Sequence, residues 1–468
     1  MRVSLALVAI IFAVAEASGC GGSTPTSSVP PPDGGDDGLA ADDGGEGDDS
    51  GAGADAFTGP AIVSFAASPM AISQGQGTTL SWVVTQATTL SIDQGVGSVL
   101  GQTSQLVAPT QTTTYTLTLN GSTTAQVTVS LIATPLQGIF AATGDMTIPR
   151  DDFTATLLGN GGVLMAGGYD DSGNPLASAE LYDAAAGEFT ATGDMAETRT
   201  GHTATLLRNG QVLVAGGTDG SSAFADAELY DPISGTFAAT GSLTIERWNH
   251  TATLLDSGLV LIAGGMTGDP NQPDAELFDP VTGTFTATGD MIVTRTGHTA
   301  TLLGNGQVLI AGGTDGKTAL ASAEIYDPAA GTFTATGSMA LARQNHTATL
   351  LPTGQVLVAG GANVESMASA ERFDAATGTF AAAGSMTMTR VGHTATLLGS
   401  GQVLIVGGSS VSASAELYDV AAGTFAATGS TTMARWSQTA TLLGSGQVLI
   451  AGGNSSVEGH LASALLYE

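Results

Sequence analysis

The heptapeptide Gln211-Val-Leu-Val-Ala-Gly-Gly217 decides how the chain is read, because it returns in varied wording along the whole C-terminal part. Gly-Gly pairs fall at 167–168, 216–217, 264–265, 312–313, 360–361, 407–408 and 452–453, spaced 49, 48, 48, 48, 47 and 45 residues apart. Each pair closes an apolar run of Val, Leu, Ile and Ala, which reads as a buried strand opening into a turn. Thr-Ala-Thr-Leu-Leu and a tight Gly-Asn-Gly or Ser-Gly turn precede the run and make a hairpin with it. Ala-Glu-Leu-Tyr-Asp-Pro, a Gly turn and Thr-Phe-Thr-Ala-Thr-Gly follow, as two further strands. The reading is all-β, with four short antiparallel strands per unit. Radial stacking of such sheets protects edges that an open array would expose.

The two ends of the array carry complementary parts of one unit. Ile139-Phe140-Ala-Ala-Thr-Gly144 is a fourth strand with no three before it, and Leu466-Tyr467-Glu468 is the third strand of the seventh unit. Segment 138–144 is therefore expected to complete the last sheet, so that residues 136–468 close into a ring of seven.

Met291, Arg295, His298, Leu302, Gly312-Gly313, Glu324, Tyr326, Asp327 and Phe333 recur in an order and spacing that resembles the kelch repeat. The wording around Thr-Ala-Thr-Leu-Leu is similar to the kelch repeats of galactose oxidase. Phe189, Phe237, Phe285, Phe333, Phe380 and Phe425 stand where the family usually has a late Trp. The resemblance implies a seven-bladed kelch-type β-propeller. It also puts an enzyme among the candidate functions, although fold alone does not carry activity. A copper-radical oxidase of that kind needs a Tyr cross-linked to a Cys, and the one Cys of this chain is Cys20. No Gly-x-Ser-x-Gly elbow and no His-Glu-x-x-His pattern appears.

Seven of the eleven cations are the repeat arginines Arg150, Arg199, Arg247, Arg295, Arg343, Arg390 and Arg435. The repeat acids are Glu180, Glu228, Glu276, Glu324, Glu371 and Glu416, with Leu465 in the seventh place. One Arg and one Glu per unit predicts partly buried ion pairs that order the strands. His202, His250, His298, His346 and His393 follow the arginine by three residues, and the outer units carry Phe153 and Gln438 there. Identical positions in successive units form a ring, not a tetrahedral cluster, so these histidines are read as structural and no metal is expected of them.

Antiparallel order puts the loop entering each unit on the same face as the loop between its second and third strands. These loops differ from copy to copy, as in Tyr169-Asp-Asp-Ser-Gly-Asn174, Met266-Thr-Gly-Asp-Pro-Asn271 and Asn454-Ser-Ser-Val-Glu-Gly-His460. A rigid scaffold with varied loops on one face is the usual arrangement for binding. Trp248, Trp436, Tyr169 and Asp170 are the candidate contacts. Asp170-Asp-Ser-Gly-Asn174 was weighed as a calcium loop, but it lacks the distal bidentate Glu.

Outside the array, residues 60–133 alternate apolar and polar side chains in short runs such as Leu80-Ser-Trp82-Val-Val84 and Tyr115-Thr-Leu117-Thr-Leu119. The stretch is similar to the Ig-like modules of bacterial surface proteins, which implies a small β-sandwich with Trp82 and Tyr115 in its core. Residues 1–19 read as an export signal: Arg2, an apolar run from Val3 to Ala15, then Ala17-Ser18-Gly19-Cys20, which resembles a lipoprotein lipobox with Cys20 as the acylated residue. Residues 20–59 hold nine acids between Asp33 and Asp55 and no cation, the composition of a solvated tether.

The chain has 468 residues, 11 Lys and Arg against 42 Asp and Glu, and a formal net charge of -31. That field repels phosphate backbones, so no nucleic-acid partner is expected. A single Cys allows no internal disulfide, thiolate zinc cluster or CxxC pair. Together these features predict a non-catalytic lipoprotein, exported and anchored at the outer membrane or cell surface, whose propeller binds a protein or glycan partner. The membrane is met through the lipid anchor alone, and no cofactor is expected, with calcium the one ion considered. The alternative is a carbohydrate-active enzyme on the same propeller.

Overall fold

The computed structural model describes residues 59–73, 77–109, 111–132, 138–267 and 275–468. The export signal, Cys20, the acidic tether and loop residues 268–274 lie outside the described residues. Among the described residues there is no helix, and none long and apolar enough to cross a membrane.

The first described unit is a two-sheet sandwich. Strands Ala61–Ser68, Thr78–Thr85 and Ser104–Val107 form one sheet, and Thr123–Ile132 and Thr113–Leu119 centre a five-stranded second. Alternation in the sequence sends Leu80, Trp82, Tyr115, Leu117 and Leu119 inward to one shared cluster. Trp82 satisfies its indole by donating Nε1–H to the Gln102 carbonyl at 3.0 Å.

The second unit consists of seven four-stranded antiparallel sheets. Sheet one runs Thr154–Leu157, Val163–Ala166, Ala179–Asp183 and Glu188–Ala191, and five more sheets follow the same order along the chain. Sheet seven takes Thr439–Leu442, Val448–Ala451 and Ala464–Tyr467 from the end of the array, and its fourth strand, Phe140–Ala142, from the beginning. Leu465 pairs with Ala142 and Tyr467 with Phe140, as the strand count requires.

Apolar clusters join each sheet to the next. One combines Val163, Met165 and Tyr182 of sheet one with Leu443, Leu449 and Ala451 of sheet seven, which closes the ring. The second strand of every sheet, Val-Leu-Met-Ala in the first, is wholly buried, while the fourth is mostly exposed at the rim. First strands neighbour one another around the cycle and so line the axis.

The Gly-Gly doublets are explained by close approach. A Cβ on Gly312 would lie 2.5 Å from the Arg343 carbonyl oxygen, and one on Gly313 2.7 Å from that of Thr296. Both residues hold positive φ, 61° and 88°. The doublet is thus wedged between the entry arm of its own sheet and that of the next.

The arginine and glutamate of each repeat belong to the same sheet. Arg295 Nη2 lies 2.8 Å from Glu324, its Nη1 donates to the Gly312 carbonyl at 2.9 Å, and Glu324 accepts the Ile292 amide at 2.7 Å. Entry arm, doublet and third strand are tied by one buried pair. Six sheets repeat this, with Arg to Glu distances of 2.7 to 2.9 Å. In sheet seven Leu465 replaces the acid, and Arg435 holds only the Gly452 and Ser463 carbonyls and the Ser463 hydroxyl, at 3.2 to 3.3 Å. Burial lowers the Arg435 pKa to about 10, against the opposing pull of Asp145.

The repeat histidines clasp adjacent sheets. His202, His250, His298, His346 and His393 each bring Nε2 to a threonine hydroxyl of the preceding sheet at 3.0 to 3.1 Å. The two joints that flank sheet seven have Gln438 and Phe153 instead. There the threonines that would be clasped, Thr394 and Thr439, leave Oγ1 without a partner. Sheet seven lacks the ion pair and both clasps.

Burial beside an arginine lowers the pKa of His202, His298 and His393 to about 3 and pushes His250 and His346 down as well. These histidines stay neutral in the fold but take up a proton when unfolded below about pH 6.5. Stability is therefore expected to fall as pH drops through the window from 6.5 towards 3, by up to about 1.4 kcal/mol per pH unit for each histidine. Replacing His298 with Gln should remove one histidine's share of that slope in urea titrations between pH 6 and 4; an unchanged slope would contradict neutral burial. Replacing Glu324 with Leu, which copies sheet seven, is expected to cost about 3–5 kcal/mol in the same assay. Leu465→Glu should stabilise the chain by giving Arg435 its acid.

Candidate functional site

The loop face is built from the entry arms and the loops between second and third strands, which meet in short bridges. Asp151 pairs with Tyr169 in sheet one, Thr200 with Thr218 in sheet two, and Trp436 with Asn454 in sheet seven. The residue two after each repeat arginine takes positive φ in every sheet, as Asp152, Gly201, Asn249, Gly297, Asn345, Gly392 and Ser437. Six of the seven are Gly, Asn or Ser, so the carboxylate at 152 is the one charge on this ring of turns.

That carboxylate lies where sheet one meets sheet seven. Asn454 of sheet seven donates Nδ2–H to Asp151 Oδ2 at 3.3 Å, and His460 Nε2 stands 3.8 Å from the same oxygen. The His460 amide donates to Asp171 Oδ1 at 3.3 Å, which holds loop 454–460 against loop 169–175. Thr200 reaches the Asp152 carbonyl from sheet two at 3.4 Å. Asp151, Asp152, Tyr169, Asn454 and His460 thus form one mixed cluster across the seam of the ring.

Its electrostatics are unusual for so acidic a chain. Burial raises the Asp151 carboxyl, with His460 and Asn454 acting against that rise. Asp152 is raised well above the ordinary range, first by burial and then by Asp151. Burial, followed by the Asp152 and Asp151 charges, also raises the Tyr169 phenol. Asp151 Oδ1, Asp152 Oδ1, His460 Nδ1 and Ser437 Oγ are buried without a hydrogen-bond partner. Perturbed, underused polar groups in one place mark a candidate site.

The four candidates named from sequence fall in different places. Tyr169 belongs to the cluster, and Trp436 is the main-chain partner of Asn454. Asp170 is spent on its own turn: Oδ1 accepts the Ser172 and Asn174 amides at 2.9 and 2.8 Å, and these bonds lower its pKa. Asp219 and Asp315 do the same in sheets two and four. Trp248 pairs with Met266 in sheet three, with sheet two between it and the seam. Asp151, Asp152 and His460 were not singled out beforehand. Their signal is departure from the repeat, an acid at a Gly, Asn or Ser position.

Comparison with known proteins agrees with this geometry. The family model "Kelch motif" matches residues 295–340, one sheet's worth of chain. No curated protein matches. Among solved structures the chain is similar to one described as "Novel fungal alcohol oxidase with catalytic diversity among the AA5 family, in complex with copper", at 18% identity and TM-score 0.61, covering 71% of this chain and 76% of that one. Likeness at that identity shows the fold, a kelch-type β-propeller. The copper belongs to that protein. Here the five repeat histidines turn Nε2 onto threonine hydroxyls, and among the described residues no three His, Cys, Asp or Glu side chains gather as a metal set.

Because its folded pKa is raised, Asp152 weakens the fold once it ionises. Asp152→Asn is expected to raise the melting temperature at pH 8, with the gain vanishing below about pH 4, where folded and unfolded chains are both protonated. A gain that persists at low pH would show that the charge is not its source.

Proposed function

We propose that this chain is a non-catalytic lipoprotein of the cell envelope, anchored through Cys20, whose propeller binds a partner on the loop face at the seam of sheets one and seven. The Ig-like module of residues 60–133 serves as a spacer between the anchor and the ring. The observation that carries the reading is the seam itself. Six sheets invest their charged residues in buried pairs and capped turns, whereas Asp151, Asp152, Tyr169 and His460 are gathered with polar atoms left unpaired. A glycan suits this face, because hydroxyl groups can meet unpaired acceptors while Tyr169 and Trp436 offer aromatic surface.

A second reading rests on the same cluster. Adjacent carboxyls with raised pKa beside a histidine are also the equipment of general acid and base chemistry, so a carbohydrate-active enzyme is the alternative.

A glycan array probed with the full chain tests both. Binding is expected, and Tyr169→Ala and Trp436→Ala should each weaken it by about tenfold or more, while Trp248→Ala leaves it within about twofold. Binding indifferent to Tyr169 and Trp436 would contradict the seam assignment. Release of cleaved or oxidised glycan, lost in Asp151→Asn, would replace the binding reading with the enzyme.

A further inference from the structure

The chemistry of the unpaired groups narrows what the seam takes, an argument that rests on the binding reading above. Asp151 is 5% exposed and keeps Oδ1 without a partner. Asp152 Oδ1 is unpaired beside it, and Ser437, 3% exposed and adjacent to the Asp152 carboxyl, leaves its hydroxyl unpaired. His460 Nδ1 is the fourth such atom. Two of the four are carboxylate oxygens, which only accept hydrogen bonds; the hydroxyl and the imidazole can accept as well.

No opposing guanidinium or ammonium stands here. Arg150 beside Asp151 in sequence is engaged by Glu180 at 2.7 Å, and Arg435 of sheet seven by main-chain carbonyls and Ser463. The charge facing the carboxylates from sheet seven is His460, 3.8 Å from Asp151 Oδ2 and charged only when protonated. A complementary ligand is therefore a cation that brings several N–H or O–H donors. A bare metal ion fits poorly, since the described residues offer no three-membered set of ligating side chains.

We infer that the seam binds the protonated amine of an amino sugar, with Asp151 and Asp152 receiving the ammonium and the neighbouring ring hydroxyls reaching Ser437 and His460. The spread of acceptors over both sheets favours a sugar, which carries donors on adjacent carbons. A lysyl side chain carries them on one nitrogen. Tyr169 and Trp436, main-chain partners of Asp151 and Asn454, place aromatic faces suited to a cation beside the acids.

The test is calorimetry of the full chain with a tetramer of β-1,4-linked glucosamine against its fully N-acetylated counterpart, with tetralysine and calcium chloride as further arms. The glucosamine tetramer is expected to bind, and acetylation, Asp151→Asn or Asp152→Asn should each weaken it about tenfold or more. Thermal melting confirms that each variant folds, and Asp152→Asn, expected to be the more stable, covers any failure of Asp151→Asn. Equal binding of both tetramers, binding of neither, preference for tetralysine, or displacement of the tetramer by calcium overturns the assignment. If the amine tetramer fails while other array glycans still bind through Tyr169 and Trp436, the amine is wrong and the binding face stands.

Discussion

Closure of the ring depends on three residues. Seven sheets packed face to face bury their Val-Leu-Ile-Ala strands only if the seventh finds the first, and the strand that completes it, Phe140–Ala142, comes from the far end of the array. No covalent bond holds that joint. Pairing of Leu465, Leu466 and Tyr467 with Ala142, Ala141 and Phe140, and the Phe140 ring 5.0 Å from that of Tyr467, keep it shut. Every inter-sheet cluster loses its support if it opens, because each sheet presents one face to each neighbour.

The same joint is where repetition stops. In the middle of the array each position is constrained twice, by its own sheet and by the next, so Arg, Glu, His and the Gly doublet recur almost unchanged. At the seam Glu gives way to Leu465, His to Phe153 and Gln438, and a small turn residue to Asp152. Phe153 and Leu465 exchange polar ties for apolar burial. Asp151 and Asp152 gain no such compensation. Buried carboxyls with unused oxygens weaken a fold, and groups of that kind accumulate at functional sites.

Much of this is legible in the sequence because a repeat samples one physical problem many times. The seven doublets gave the period, the truncated first and last units gave the closure, and one Arg and Glu per unit gave buried pairs that the structure places within sheets. The histidines read as a structural ring, and their threonine partners sit one repeat away, too distant for any local pattern to reveal. The seam cluster was only half visible. Tyr169 and Trp436 stand out as aromatics in variable loops, but Asp151, Asp152 and His460 come together only because residue 151 and residue 460 are neighbours across a closed ring. Asp170 looked equally exposed, and nothing in its sequence reveals that its carboxylate caps its own turn.

Native-state hydrogen exchange across sheet seven tests closure most directly. The account predicts that amides in 140–142 and 464–467 are protected, but open at lower free energy than the equivalent strands of sheet four, which has its ion pair and both clasps. Amides at 140–142 exchanging at the rate of unpaired chain would contradict the closed ring, and with it the seam on which the binding site is built.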